Sequence, residues 1–222
     1  MAKNKNQTQF RYLFGVDDTD IQSTCILVPF MSKGLLQAFG VNHFFRGNPY
    51  GCGSTDSFTL IYTHMGSLFV GDAVLHLKDT PCQNLILFGS CGLVQKSDKS
   101  SLGSLMVPTE AIAMEGFSDL LMQNNYPTLT FHPHAGLLSQ LKERTQEPLQ
   151  EVRCVSFGSL ILESTYQNQL AGQGINILDM ETSAFLSAAA SIQKKAVAVL
   201  YVTDIVGELP AYRKFLHEER MI

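Results

Sequence analysis

The feature that most constrains this fold is a series of short apolar runs that alternate with segments of helical spacing. The clearest run is Ala196–Val202 (AVAVLYV), in which every residue is apolar. A continuous run of this length is typical of a strand that is buried on both faces of a sheet. Further apolar runs, read as strands, are Phe10–Gly15, Phe58–Thr63, Leu85–Phe88, Gly103–Val107, Val152–Phe157, Ser159–Leu162 and Ile175–Met180.

Helices are predicted between these runs. They are Ile26–Phe39, which stops at Gly40, then Gly66–Leu77, Ala135–Arg144 and the Ala-rich Glu181–Gln193. Strands that alternate with helices predict an α/β fold whose central sheet is at least partly parallel. The length of 222 residues fits a single domain around one core. The polar residues 1–9 are expected to be flexible.

Composition and charge exclude several classes of protein. Lys and Arg total 16 against 20 Asp and Glu, and the net charge of −4 argues against a nucleic-acid partner. Five cysteines without regular spacing indicate reduced thiols, not a disulfide framework. No apolar run reaches the roughly 20 residues of a membrane span, and no apolar signal segment follows the polar start. We expect a cytoplasmic enzyme or binding domain.

Small and acidic residues follow three of the apolar runs, where an α/β sheet gathers its ligands beyond the carboxyl ends of the strands. Residues 89–92 (Gly-Ser-Cys-Gly) predict a tight turn, either structural or in close contact with a ligand. Residues 179–181 (Asp-Met-Glu) either cap a helix or offer a carboxylate to a sugar diol. Asp204 ends a central strand, and a buried carboxyl there is the strongest candidate for a catalytic acid.

The order of these junctions resembles that of the nucleoside phosphorylase/nucleosidase superfamily. The resemblance covers residues 58–117 and 152–216, with GSCG followed by LDMETSA (Leu178–Ala184) and then VTD (Val202–Asp204). Gly103-Ser104 stands where the family usually has Gly-Asp. The resemblance implies a single domain over residues 1–222, a three-layer α/β/α sandwich with a central mixed sheet.

The resemblance is strongest to the hydrolytic branches, methylthioadenosine/S-adenosylhomocysteine nucleosidase and the futalosine hydrolase/aminodeoxyfutalosine nucleosidases of menaquinone synthesis. Phosphorylases of the family hold phosphate with arginines, one of them at the position of Leu87. The first half of the chain has only Arg11 and Arg46, whereas a phosphate needs several cationic or amide partners. The implied activity is hydrolysis of a 5′-substituted purine nucleoside, with water as nucleophile and without a cofactor. A phosphate-dependent phosphorylase and a non-catalytic nucleoside-binding relative are the alternatives.

The resemblance also implies roles for individual residues around the nucleoside. Asp204 would protonate or hydrogen-bond N7 of the purine, which makes the base a leaving group. Glu181 would bind the ribose 2′- and 3′-hydroxyls, with Met180 beneath the sugar and Met65 against it. Ser90 would help to place the attacking water.

Further roles concern the base, the 5′ group and the water. Tyr166 would stack on the base, the backbone of Gln167 would read its edge, and Tyr212 would close on the 5′ substituent. The family activates water with a Glu a few residues after the glycine of its first strand. Counting from Gly15 reaches Asp20, with Asp17 and Asp18 as rivals. Leu200 replaces an Arg that supports this water, and the family also implies a homodimer.

Two other groups could carry chemistry. His132 and His134 lie near no Cys or acid in sequence, so we interpret them as surface residues and predict no metal site. Cys91 has no adjacent His, which indicates a small buried thiol instead of a nucleophile.

Overall fold

The structure is a computed structural model that describes residues 2–116 and 129–208. Within these residues the helices are α1 (Ala2–Phe14), α2 (Lys33–Ala38), α3 (Ser67–His76), α4 (Ala135–Arg144), α5 (Glu163–Gly172) and α6 (Thr182–Ser191). The strands are β1 (Thr24–Val28), β2 (Phe45–Arg46), β3 (Gly51–Ser54), β4 (Thr59–Tyr62), β5 (Asn84–Leu93), β6 (Leu105–Met114), β7 (Thr130–Phe131), β8 (Leu149–Phe157), β9 (Ile177–Asp179) and β10 (Lys195–Ile205). A short 3-10 helix, Asp18–Asp20, precedes β1.

The strands form one mixed sheet, and part of it closes into a ring. β5 is parallel to β10, which pairs antiparallel with β6. β6, β8 and β9 are parallel neighbours, and β9 returns antiparallel to β5. On the other side of β5, strands β1 and β4 continue the sheet in parallel, and β3 and β2 follow antiparallel. The mixed sheet is as predicted, whereas its closure was not.

Alternating side chains of β5 explain the three layers. Leu85 and Leu87 pack with residues of α3 and α6 in one buried cluster, whereas Ile86 packs with Val197 and leucines of α4 in another. Because successive side chains of a strand point to opposite faces, these helices cover opposite faces of the sheet. The ring has its own apolar filling, to which each of its five strands contributes: Cys91, Leu93, Met106, Val152, Cys154, Ile177, Leu200 and Val202.

Most of the predicted elements are confirmed, and α4 has the predicted bounds. The predicted helix Ile26–Phe39 is wrong in its first half, which forms β1. Pro29 explains the error, because it has no N–H to give to a helix and restricts the residue before it to extended backbone. α2 begins after Ser32, whose Oγ accepts a 3.1 Å hydrogen bond from Leu35 N.

The N-terminal run and the run before α5 also differ from their predictions. Phe10–Gly15 is not a strand, because Phe10 and Phe14 lie on one face of α1 and stack with ring centroids 4.4 Å apart. Residues 2–9 belong to the same helix. Ser159–Leu162 forms a turn that leads into α5 instead of a strand. Among the described helices, none combines the length and the apolar character that a membrane crossing requires.

Candidate active site

Gly92 is the point where the three predicted junctions meet. In the sheet it lies beside Leu178 of β9 on one side and beside Asp204 of β10 on the other. The predicted turn at residues 89–92 is wrong, because these residues continue β5 between two strands that both hydrogen-bond to it. A Cβ atom on Gly92 would lie 3.1 Å from Asp204 Oδ2. The lack of a side chain at Gly92 therefore lets the Asp204 carboxyl group approach β5 closely, and it does not serve a turn.

Asp204 is positioned by an irregularity in β10. The pairing with β5 shifts register between Val202 and Asp204, and such bulges re-aim side chains next to many active sites. Thr203 Oγ1 donates to Asp204 Oδ1 at 2.8 Å and also contacts Cys91 O at 3.3 Å. Asp204 is half-buried, not buried as expected, so one side of the carboxyl group is open to a ligand.

The sequence leaves two roles open for residues 179–181, capping of a helix and binding of a sugar diol. Asp179 and Glu181 differ in which of these roles they can take. Asp179 is the cap of α6: its Oδ2 accepts hydrogen bonds from Thr182 N at 2.7 Å and Glu181 N at 3.2 Å. Its Oδ1 accepts from Ser156 Oγ at 2.7 Å. Glu181 makes no cap hydrogen bond to the helix that it precedes. Its carboxylate is therefore available for another partner.

The carboxylate of Glu181 is held by the junction between β4 and α3. Gly66 N donates to Glu181 Oε1 at 2.6 Å, and Ser67 Oγ donates to Met180 O at 2.6 Å. Glu181 is buried, Met180 is half-buried and the Met65 side chain is exposed. Glu181, Met180 and Met65, which were expected around the sugar, therefore share one corner of the site.

Two further carboxyl groups, which the sequence reasoning missed, join this region. Glu115 follows β6 and accepts a hydrogen bond from Ser183 Oγ, and Glu163 begins α5 with only 8% of its surface exposed. Both directly follow an apolar segment, the signal that identified Asp204. Glu115 was overlooked because β6 was predicted to end at Val107, and Glu163 because its preceding turn was read as a strand.

Burial raises the pKa of four of these carboxyl groups, Glu115, Glu163, Asp179 and Glu181. Burial, followed by the charges of Asp204 and Asp179, raises the pKa of Glu163 to about 8. Burial and the charge of Asp179 raise the pKa of Glu181 to about 8. Burial also raises the pKa of Asp179 and of Glu115. No ion pair within residues 2–116 and 129–208 joins any of this acidic cluster (Glu115, Glu163, Asp179, Glu181 and Asp204) to a Lys or Arg.

Asp20 lies at the wrong end of the sheet. It precedes β1, whose first residue Thr24 is level with Asn84 at the amino end of β5. Asn84 and Gly92 are separated along β5 by about 26 Å at the usual rise per residue. The count that selected Asp20 began from Gly15, but the first strand is β1, and residues 21–55 contain no Asp or Glu. Asp20 instead accepts a 3.3 Å hydrogen bond from Asp17 N.

The two positions where the resemblance implies an arginine, Leu87 and Leu200, are apolar and buried in this chain. Leu200 is fully buried, and its Cδ2 would lie 3.4 Å from a Cβ atom on Gly89, with Pro29 3.7 Å from the same point. Leu87 is also fully buried. Leu87 packs in the apolar cluster with α3 and α6, and Leu200 packs in the apolar filling of the ring. Ser90 lies in β5 next to Gly89, the residue that pairs with Leu200, and it is half-buried beside Tyr201 of β10.

Gln167, Tyr166 and Tyr212 are the residues expected around the base and the 5′ substituent. Gln167 Nε2 donates to Val94 O and Val206 O, both at 2.8 Å, and its backbone N–H lies inside α5, where the helix uses it. The expectation that this backbone reads the base edge stays a prediction. Tyr166 packs edge-on against Phe157 at 5.3 Å. Tyr212 lies outside the described residues.

His132, His134 and Cys91 have surroundings that are typical of residues with a structural role. His134 Nδ1 accepts from Leu137 N at 3.1 Å and caps α4, and a ring nitrogen of His132 lies 3.0 Å from Thr109 O. Cys91 is buried, and burial raises the pKa of its thiol well above the ordinary value. In the described part of the chain, no three His, Cys, Asp or Glu side chains are grouped to hold a metal ion.

Comparison with known proteins gives the following matches. The sequence profile of the Phosphorylase superfamily matches residues 44–220. AMP nucleosidase from Bacteroides thetaiotaomicron superposes with a TM-score of 0.75 at 16% identity, over 100% of this chain and 99% of that one. Futalosine hydrolase from Helicobacter pylori gives 0.73 at 13%, over 89% and 93%. The 5′-methylthioadenosine/S-adenosylhomocysteine nucleosidase of the same organism gives 0.69 at 13%, over 89% and 92%. No curated protein sequence matches the chain.

Proposed function

Because the chain belongs to the Phosphorylase superfamily, we propose that it cleaves the N-glycosidic bond of a purine nucleoside, with water as the nucleophile. The acidic cluster carries this proposal. Burial raises the pKa of Glu163 and of Glu181 to about 8, and within residues 2–116 and 129–208 no Lys or Arg forms an ion pair with the cluster. A phosphate ion would need such cations, whereas a ribose that acquires positive charge would be stabilised as the carboxyl groups ionise.

In the proposed reaction, the residues on the two strands that flank Gly92 act on the base and on the sugar. As the bond between C1′ and N9 breaks, its electron pair stays with the purine, and Asp204 delivers a proton to N7. Glu181 holds the 2′- and 3′-hydroxyls, and Met180 and Met65 contact the sugar. Water then adds to C1′, helped by Ser90. General-acid assistance of this kind contributes roughly 10²–10⁴-fold to the rate.

The proposed substrates carry an uncharged or weakly charged 5′ group. The similar structures are of an AMP nucleosidase, a futalosine hydrolase and a methylthioadenosine/S-adenosylhomocysteine nucleosidase. Within the described residues no Lys or Arg pairs with the acidic cluster, which disfavours a 5′-phosphate, and the exposed Met65 side chain, next to the Gly66 that bonds Glu181, favours an apolar group. We therefore expect methylthioadenosine, S-adenosylhomocysteine and aminodeoxyfutalosine or futalosine to be better substrates than AMP. Cleavage of the last two would place the enzyme in menaquinone synthesis.

A non-catalytic nucleoside-binding protein is the second candidate function. It is favoured by the buried Leu200 and by the lack of any acidic residue between Ile21 and Thr55. Hydrolytic relatives are expected to use a carboxylate and an arginine in these places to activate water. Such a protein would bind the nucleoside with Glu181 and Asp204 but release no base.

We also propose that the protein acts in the cytoplasm as a homodimer, in which the partner and Tyr212 close the 5′ end of the pocket. The resemblance to the nucleosidases supports this assembly. Sedimentation velocity at micromolar concentration is expected to give a dimer. A monomer with full activity would contradict it.

Base release, followed by chromatography, tests the proposed reaction. The nucleosides are methylthioadenosine, S-adenosylhomocysteine, aminodeoxyfutalosine, futalosine, inosine, adenosine and AMP, with and without phosphate. Release of adenine or hypoxanthine without phosphate supports a nucleosidase, and release only with phosphate would establish a phosphorylase. Binding without release under both conditions would favour the second candidate.

A further inference from the structure

His64 lies between β4 and α3 and has a left-handed backbone conformation, with φ at 67°. Among the described residues, Gln193 is the only other one that has a positive φ without being glycine. A side chain in this conformation costs free energy, and residues that are held in it cluster at active sites and ligand-binding loops. The contacts around His64 must therefore stabilise it there.

Both ring nitrogens of His64 have hydrogen-bond partners. Nε2 lies 2.8 Å from Pro49 O, and Nδ1 lies 2.8 Å from the hydroxyl oxygen of Tyr62. Because a carbonyl oxygen only accepts, Nε2 carries the proton and donates it, and Nδ1 of the neutral ring accepts from the Tyr62 hydroxyl. The ring also packs against Phe69, with centroids 5.3 Å apart, and Thr63 Oγ1 donates to His64 O at 3.0 Å. His64 is therefore fixed through its ring and through its backbone.

The turn that His64 begins places a backbone N–H against Glu181. Gly66 follows His64 by two residues and has φ at 105°, and its N–H donates to Glu181 Oε1 at 2.6 Å. A second hydrogen bond, from Met180 N to Glu181 Oε2 at 3.3 Å, comes from the preceding residue of the chain. The orientation of the Glu181 carboxyl group relative to the rest of the fold therefore depends on where the turn directs the Gly66 N–H.

We propose that His64 is a positioning residue for Glu181: its ring holds residues 64–66 so that the Gly66 N–H orients the carboxyl group that binds the ribose hydroxyls. The inference rests on the proposed function, which assigns the ribose to Glu181. Glycine would adopt the backbone of His64 without the steric cost, so the turn alone does not account for a histidine. The imidazole adds the two hydrogen bonds, to Pro49 O and from the Tyr62 hydroxyl, that keep the turn from moving.

Hydrogen exchange of the Gly66 amide tests this positioning without catalysis. Met65-Gly66 is the only Met-Gly pair in the chain, so isotope labels on methionine carbonyl carbons and glycine nitrogens isolate this amide by magnetic resonance. We expect exchange about ten-fold faster in His64→Gly and in Tyr62→Phe, because the turn opens more often. The matched control is His43→Gly, in the exposed segment before β2, which should keep the native rate. The native rate in both His64→Gly and Tyr62→Phe would overturn the proposal.

Discrimination between ribose and 2′-deoxyribose is the catalytic test. The values of kcat/KM for methylthioadenosine and for its 2′-deoxy counterpart are compared as a ratio, which a smaller folded fraction of the enzyme does not change. We expect His64→Gly to lower this preference for ribose roughly ten-fold, because the carboxyl group that receives the 2′-hydroxyl is no longer oriented. An unchanged ratio in His64→Gly would refute the positioning role.

His64→Asn tests which property of the histidine matters. Asparagine also adopts a left-handed backbone, and its amide oxygen can accept from the Tyr62 hydroxyl in place of Nδ1. We therefore expect it to restore part of the preference for ribose, whereas a ratio as low as that of His64→Gly would contradict the role of this hydrogen bond. If the native protein cleaves no nucleoside, the proposed function fails, but exchange of the Gly66 amide still decides whether His64 orients the contact to Glu181.

Discussion

Replacing Glu163 with glutamine should make the protein more resistant to alkaline conditions. The folded-state pKa of Glu163 is about 8, against an ordinary value of 4.5. Between these values the folded state holds a proton that the unfolded state has lost, so stability falls as pH rises. At 1.36 kcal/mol per unit, the whole shift corresponds to about 5 kcal/mol. Between pH 6 and pH 8, the loss is about 2 kcal/mol.

Urea unfolding at pH 6 and pH 8 measures this loss directly. Neutral glutamine has the shape of the protonated acid and does not titrate, so the stability of Glu163→Gln should decline by about 2 kcal/mol less than that of the native protein over this interval. Glu143→Gln, on the exposed side of α4, serves as the control and should follow the native protein. If native and Glu163→Gln proteins lose equal stability between the two pH values, Glu163 is not protonated in the folded state.

Three further substitutions test other parts of the account. Asp179→Ala should destabilise the fold by about 3 kcal/mol in urea unfolding, from about 1 for the lost helix cap and about 2 for the buried donors left unpaired; an effect below 1 kcal/mol would contradict the capping role. Gly92→Ala should lower kcat/KM about ten-fold with little loss of stability, because the added Cβ atom displaces the Asp204 carboxyl group. Unchanged kinetics would contradict the close approach of Asp204 to Gly92. Asp20→Asn should leave kcat/KM unchanged, and a large loss would show that Asp20 reaches the site.

The elements that sequence predicted well are those that local patterns determine. The apolar run Ala196–Val202 lies inside β10, and the spacing of Ala135–Arg144 produced α4 with its bounds. Residues 89–92 show the opposite case. Their glycines predict a turn locally, but pairing with β9 and β10 keeps them extended. Such long-range pairing, like the closure of the ring, is not encoded in a local window.

The candidate site was predictable where a polar residue ends a recognised strand. This signal identified Asp204 and residues 179–181, and it failed for Glu115 and Glu163 because the preceding elements were misplaced. The choice of Asp20 failed for a related reason. The aromatic run Phe10–Gly15 belongs to the end of α1 and is not the first strand, so a count from Gly15 starts at the wrong element. Only the sheet register reveals which strand ends share one edge.

The nucleophile is the central claim, and the sugar product identifies it. Methylthioadenosine is incubated with the protein in isotopically labelled water that contains phosphate, and the sugar is analysed by mass spectrometry, with Asp204→Asn in parallel. We expect free sugar with labelled oxygen at C1′, and a rate roughly 10²–10⁴-fold lower in Asp204→Asn with binding retained. A sugar 1-phosphate, or intact nucleoside bound without turnover, would contradict hydrolysis by this site.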